Sequence, residues 1–282
     1  MTCKNVESGF CNENVHNIIE KMGQGRFSDY YIGGLFYSPQ YRILEGPECI
    51  QYLQEHVPFH LPPIKIVLDN VIWESKDFFN HTINILDLCS GPATVPLAFC
   101  KIPSIRYARK HKFDITTVEP SEGFNNMINI FKATNTNEFI EIVNNLKYNI
   151  FDDNFMKDEA VFKAGYNWII IANSISAIGE GRSNQEANKI LNKFISKVLY
   201  YSDKVLLTII EGSLTSYFDF INYLDNIERT GFDDLKIIKT VSPIKQFQIR
   251  TPEIMGCEFY KTKYPDHYSP YINSKSLLLE SK

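Results

Sequence analysis

The chain has 282 residues, 44% hydrophobic and 22% charged, with a formal net charge of −4 at pH 7. This is ordinary globular composition, which excludes a disordered chain and leaves ample material for a core. The mild acidity argues against a general grip on nucleic acid. No apolar run nears the ~20 residues that span a bilayer, and the start, MTCKNVESGFCNENVHN, lacks the basic-then-apolar order of a signal peptide.

The first 75 residues read as a helical region of their own. A helix is expected over 14–22, ending at Gly23, followed by a tyrosine- and glycine-rich loop over 29–41. A second helix is expected over 48–57, closed by Pro58, and a third over 64–80 after Pro62 and Pro63. From residue 82 strands alternate with helices, which implies a parallel sheet covered on both faces. Strands are expected at 83–88 (INILDL), 113–118, 139–143, 168–172 (WIIIA) and 205–210 (VLLTII). Helices are expected from Pro92 to about Lys101, from a cap at Ser121 to about Lys132, over 185–200 and over 214–230. Segments 235–241 and 257–263 are expected to close the sheet as an antiparallel pair, and the tail after Pro270 to be loosely held. The division is thus 1–75, an N-terminal helical cap, and 76–282, a Rossmann-like α/β domain.

The six cysteines form no C-x-x-C pair, and the six histidines show no ligand spacing. No metal site is expected, and the thiols read as reduced in a cytoplasmic protein.

Ligands of open α/β sheets bind beyond the carboxyl ends of the strands. The segment Asp87-Leu88-Cys89-Ser90-Gly91-Pro92-Ala93-Thr94 turns a strand sharply into a helix. Gly91 admits positive φ and close approach of a ligand to the backbone. Asp87 could accept hydrogen bonds from a ligand amine or from the loop itself. Thr117-Val118-Glu119-Pro120-Ser121 ends the second strand with a carboxylate, whose two oxygens suit the two hydroxyls of a ribose. Asn173 and Ser174 follow the fourth strand, and Glu211 the fifth. Glu211 could be a base, an orienting group or a buried structural carboxylate.

In the order INILDLCSGPAT, TTVEPS, NWIIIANSIS, residues 82 to about 263 resemble the class I S-adenosylmethionine-dependent methyltransferase family. The resemblance implies a seven-stranded, mostly parallel sheet with helices on both faces and a reversed last hairpin. Of the family loop D-x-G-x-G-x-G, Asp87 and the middle glycine are kept, with Cys89 and Ala93 at the flanking glycine positions. By the family pattern Asp87, Ser90 and Gly91 surround the methionine part of S-adenosylmethionine, with Cys89 and Pro92 also expected to bind the cofactor. Glu119 holds the ribose, with Pro120 and Ser121 also expected to bind the cofactor; Asn144 and Asn145 fall at the adenine position, and Asn173 and Ser174 face the reactive methyl. Asn173 and Glu211 are the candidate catalytic residues. The segment after the fourth strand is not Asn-Pro-Pro-Tyr, which disfavours amino methylation of DNA bases and glutamine. G-x-G-x-x-G is missing, which disfavours a nicotinamide dehydrogenase.

The N-terminal region then reads as a lid, with Tyr30, Tyr31, Tyr37 and Tyr41 as aromatic partners for a cation. The expected acceptor is a small molecule or a protein side chain. An RNA acceptor stays open, through the basic run over 106–112 and a weak likeness to methyltransferase-like proteins of the mitochondrial small ribosomal subunit. So does a non-catalytic cofactor-binding protein.

Overall fold

Short apolar runs alternating with amphipathic segments become, in a computed structural model, a single sheet sandwiched between helices. The structure describes residues 13–23, 43–75, 77–79, 82–102, 112–174, 183–212, 235–241 and 272–281. In chain order the elements are α1 (Glu13–Met22), α2 (Pro47–Glu55), α3 (Val57–Glu74), β1 (Ile83–Leu88), α4 (Thr94–Phe99), β2 (Phe113–Val118), α5 (Glu122–Thr134) and β3 (Ile140–Leu146). They continue with α6 (Asp153–Lys157), α7 (Glu159–Phe162), β4 (Trp168–Ala172), α8 (Asn184–Leu199), β5 (Lys204–Gly212), β6 (Leu235–Val241) and β7 (Ile272–Ser281). The sheet order is β3-β2-β1-β4-β5-β7-β6, with β7 antiparallel to both of its neighbours.

Alternate residues of each strand face opposite sides of the sheet, and both sides are buried. One face carries Ile83, Ile85, Phe113, Ile115, Trp168 and Ile170, packed with the apolar stripes of α1 to α5. The other carries Leu86, Leu88, Val118, Ile169 and Ile171, packed with Phe155, Phe162, Leu191, Phe194 and Val198 from α6, α7 and α8. The N-terminal helices therefore share a core with the sheet.

Three expectations are corrected. Helix α3 starts at Val57 and stops at Glu74, running through Pro62 and Pro63. A proline in the first turn forfeits nothing, because those N–H groups lack intrahelical acceptors. An interior proline costs about 3 kcal/mol, whereas each fully buried aliphatic side chain contributes about 1.5–3 kcal/mol. Leu61, Ile64, Val67, Leu68, Val71 and Ile72 are all buried and outweigh that loss.

β3 extends to Leu146. A bulge at Val143 shifts its register against β2, breaking the apolar alternation where the sequence reading stopped.

The third correction is the closing strand. It is 272–281, in the segment expected to be a loose tail, and it lies between β5 and β6. Ser274, Lys275 and Ser276 disguise it, yet all three are buried. Ser276 shares a hydrogen bond with Thr208 (3.0 Å), which accepts one from the Trp168 indole (3.0 Å), so a polar chain pins β7 to β5 and β4. The β4 and β6 bounds and the Ser121 cap agree with the sequence reading. The loop over 29–41, most of the basic run (106–111), the helix over 214–230 and segment 257–263 lie outside the described residues. Among the described residues no helix is long and apolar enough to cross a membrane, and no cluster of side chains is arranged to hold a metal.

Candidate active site

The bend after β1 is built from left-handed residues. Cys89 (φ 57°), Gly91 (φ 53°) and Ala93 (φ 61°) alternate with residues of ordinary conformation. These are the three glycine positions of the family loop, and the backbone keeps its course at all three although only one is glycine. A left-handed residue with a Cβ costs about 1–2 kcal/mol, so two residues here are held under strain by their surroundings. Ser90 fastens the bend: its hydroxyl donates to the Asp87 carbonyl (2.8 Å) and accepts from the Val118 N–H (3.2 Å). Pro92 is buried behind the bend and Cys89 is half-buried. A Cβ added to Gly91 would meet nothing within 4 Å, so the bend borders open space.

Glu119 closes on this bend from β2. Its Oε2 accepts from the Gly91 N–H (2.8 Å) and its Oε1 from the Ser121 N–H (3.0 Å). Each oxygen keeps a lone pair for a further donor. Burial pushes the Glu119 carboxyl up to about 6, against the hydrogen bonds from Ser121 and Gly91 and with help from Glu45. Asp87 is buried and its Oδ2 has no hydrogen-bond partner. Burial pushes its carboxyl up to about 8; Ser90 opposes the shift and Glu119 adds to it. A buried carboxyl oxygen left without a donor beside open backbone is a place for a cationic or N–H-bearing ligand group.

The segment before α2 is sewn onto the loop after β2. Ser121 Oγ donates to the Leu44 carbonyl (2.6 Å) and accepts from Phe124 N–H (3.2 Å). The Glu45 carboxylate accepts from Glu122 N–H (3.1 Å) and Gly123 N–H (3.3 Å) at the start of α5, where negative charge is favoured. Asn125 donates to the carbonyls of Glu119 (2.8 Å) and Ser121 (2.6 Å) and so fixes the Glu119-Pro120-Ser121 turn.

This docking brings Tyr52, His56 and His60 to the site. Tyr52 stacks on His56 (ring centroids 4.5 Å apart), meets Phe124 edge-on (5.3 Å), and its hydroxyl lies 3.4 Å from His60 Nδ1. Burial raises the Tyr52 hydroxyl above its ordinary range, and the carboxylates of Glu211 and Glu119 add to the rise. Burial lowers His56 to about 4 and His60, next to it, to about 3. All three rings are half-buried. Sequence reading missed all three. The i, i+4, i+8 spacing was visible, but ending the helix at Pro58 separated His60 from the others.

Asn173 also has positive φ (55°), and its N–H donates to the Ile210 carbonyl (2.7 Å), turning the chain at the end of β4. Its Oδ1 is buried without a partner, a second orphaned acceptor at this edge of the sheet. Ser174 is buried and donates to the Ala172 carbonyl (3.1 Å). Glu211 is buried at the end of β5, in register with Asn273 of β7. Asn144 and Asn145 were expected past the third strand; they lie within β3, opposite Thr116 and Thr117. Asn145 accepts from the Thr117 hydroxyl (3.1 Å) and donates to the Asn125 carbonyl (3.5 Å), which ties β3 to β2.

No family model matches the chain, and no curated protein matches it by sequence. Among solved structures, the chain is similar to the plantazolicin methyltransferase BpumL in complex with a pentazolic desmethylPZN analog and SAH. That pair is 14% identical, covers 96% of this chain and 99% of that one, and has a TM-score of 0.46. It is also similar to the magnesium protoporphyrin IX methyltransferase ChlM from Synechocystis PCC 6803 with bound SAM, at 10% identity, 96% and 99% coverage and a TM-score of 0.42. The strand order is independent of those likenesses. A sheet ordered β3-β2-β1-β4-β5-β7-β6 with β7 alone reversed is the fold of the class I S-adenosylmethionine-dependent methyltransferases, and this chain has that fold.

Proposed function

We propose that the chain is an S-adenosylmethionine-dependent methyltransferase acting on a small molecule or a protein side chain. The observation that carries this reading is the clasp of Gly91 by Glu119, beside a bend that borders open space and an orphaned Asp87 Oδ2. Asp87 Oδ2 receives the amine of the amino-acid part. The 89–92 backbone lies along it. The remaining lone pairs of Glu119 take the ribose hydroxyls, and Pro120 and Ser121 shape that side. Asn144 is exposed and borders the adenine side from β3. Asn173 Oδ1 and Glu211 stand on the acceptor side, with Ser174 holding the turn beneath them. The N-terminal helices exclude water, which sharpens every electrostatic contact inside.

When bound, the cofactor supplies a methyl carbon on a positively charged sulfur, which leaves as a neutral thioether with the bonding pair once the acceptor's lone pair has taken the methyl. The chain's task is alignment of the nucleophile and exclusion of water; a base is required only where the nucleophile must lose a proton first.

Calorimetry with S-adenosylhomocysteine tests the reading. Glu119→Ala should weaken binding by about 1–3 kcal/mol, the cost of leaving hydrogen-bond partners unmatched. Unchanged affinity would overturn the ribose assignment. Incubation with methyl-labelled cofactor and an extract split into RNA, protein and metabolites then identifies the acceptor class. Label in RNA would overturn the small-molecule or protein acceptor, and binding without any transfer would overturn the enzyme.

A further inference from the structure

Two acidic side chains bracket the bend after β1. Asp87, the penultimate residue of β1, has Thr117 of β2 and Ile170 of β4 as its register neighbours, and neither can carry a charge. Asp87 is 1% exposed and its Oδ2 has no hydrogen-bond partner. Ser90 and the Glu119 carboxyl are the polar groups that act on it. Glu119 takes its two hydrogen bonds from the backbone N–H groups of Gly91 and Ser121, and the further charge that acts on it is the Glu45 carboxylate. Among the described residues no lysine, arginine or histidine acts on either carboxyl.

Ionised Asp87 would be cut off from water, short of a donor at Oδ2, and close to a second negative group. Each of these disfavours the charge, so the carboxyl keeps its proton. Glu119 is also buried, but its two N–H donors favour the carboxylate. The two groups therefore separate: burial, with Glu119 adding to it, takes Asp87 to about 8, whereas Glu119 reaches about 6. Near pH 7 Glu119 is ionised and Asp87 is neutral. A cation with an N–H placed against Asp87 Oδ2 supplies the donor and the countercharge together.

We propose that cofactor binding exchanges a proton for an ammonium group at Asp87, so that the site is gated by pH and selects nucleosides that bear a charged amine. This rests on the methyltransferase reading above and deepens it. The Asp87 O–H bond breaks and its proton passes to solvent. The ligand's ammonium keeps all its protons and donates one N–H to the carboxylate left behind; no covalent bond to the ligand forms. Because a proton is a product of binding, affinity rises with pH until the free protein has shed that proton unaided. The ribose end adds little to this dependence, since Glu119 is already ionised near pH 7. A nucleoside lacking the amine gains nothing from the exchange.

Two probes test the exchange on the wild-type chain. S-adenosylhomocysteine carries the amino-acid part; 5′-methylthioadenosine has the same adenine, ribose and thioether without it. Going from about pH 6.5 to about pH 7.5 should tighten S-adenosylhomocysteine about eightfold and move 5′-methylthioadenosine by less than about twofold. Calorimetry at neutral pH in buffers of different protonation heat should show about one proton released per S-adenosylhomocysteine and nearly none per 5′-methylthioadenosine. Asp87→Asn, which keeps the shape of the side chain, should bind S-adenosylhomocysteine more weakly, with a flat pH profile and no proton released. A flat wild-type profile for S-adenosylhomocysteine overturns the proposal while leaving the cofactor reading intact. An equal rise for both probes, or a rise that survives in Asp87→Asn, places the proton elsewhere and also overturns it. Failure of the wild type to bind either probe overturns the cofactor reading, and this inference with it.

Discussion

Asp87 sits under the bend with one carboxyl oxygen unmatched, and its protonation decides what the bend can bind. Burial raises its carboxyl from the ordinary 3.8 to about 8. A raised carboxyl means that the folded protein holds a proton the unfolded chain gives up. The stability this confers is fully present below pH 3.8 and is lost as the pH rises through about 8. Glu119, raised to about 6, has the same sign over a lower window. The thermal midpoint of the ligand-free protein should therefore fall between pH 6 and pH 8, and Asp87→Asn should flatten that decline. A wild-type midpoint rising over this interval would contradict the raised carboxyl. Asp87, Gly91 and Glu119 were legible in the sequence because a strand, a sharp bend and a strand-end carboxylate leave a pattern of residue types. The left-handed conformation of Cys89 and Ala93 was not, since neither residue type announces positive φ. Nor was the neutral state of His60, which depends on burial contributed by other elements.

Between elements, α2 fits closely against the start of α5. A Cβ on Gly123 would lie 2.5 Å from Cys49 Sγ and 3.1 Å from Cys49 Cβ. Only glycine lets the helix carrying Tyr52 come this close. Gly123→Ala should push α2 away and cost about 1–3 kcal/mol of stability in denaturant unfolding, the range for overpacking. Burial holds the Cys49 thiol up at about 11 and keeps it unreactive. In the variant it should react faster with a thiol reagent, and an unchanged rate would mean that α2 had not moved. Periodicity located α2. It failed for α3, where prolines that usually end helices are carried by a fully buried stripe. At Val143 an inserted residue reset the alternation.

On the scale of the whole molecule, the parallel part of the sheet was readable from apolar runs alone, because strands buried on both faces need no alternation. The closing strand was not. Its serines and lysine read as a tail until Thr208, itself held by the Trp168 indole, provides a partner for Ser276. β7 supplies the pairing groups for the edges of both β5 and β6. A chain shortened to residue 271 would bare one edge of β5 and leave β6 without a neighbour among the described strands. Bare apolar edges are templates for aggregation. The shortened chain should accumulate as insoluble material, or lose cooperative unfolding in circular dichroism; a soluble, cooperatively melting product would show that β7 is dispensable. The position of β7 also imposes an order on birth. β6 leaves the ribosome before the ribbon that must slide in beside it has been synthesised. Until that later stretch arrives, the nascent protein carries an unfinished flank, and a chaperone that shields it would have its work defined by the sheet order alone.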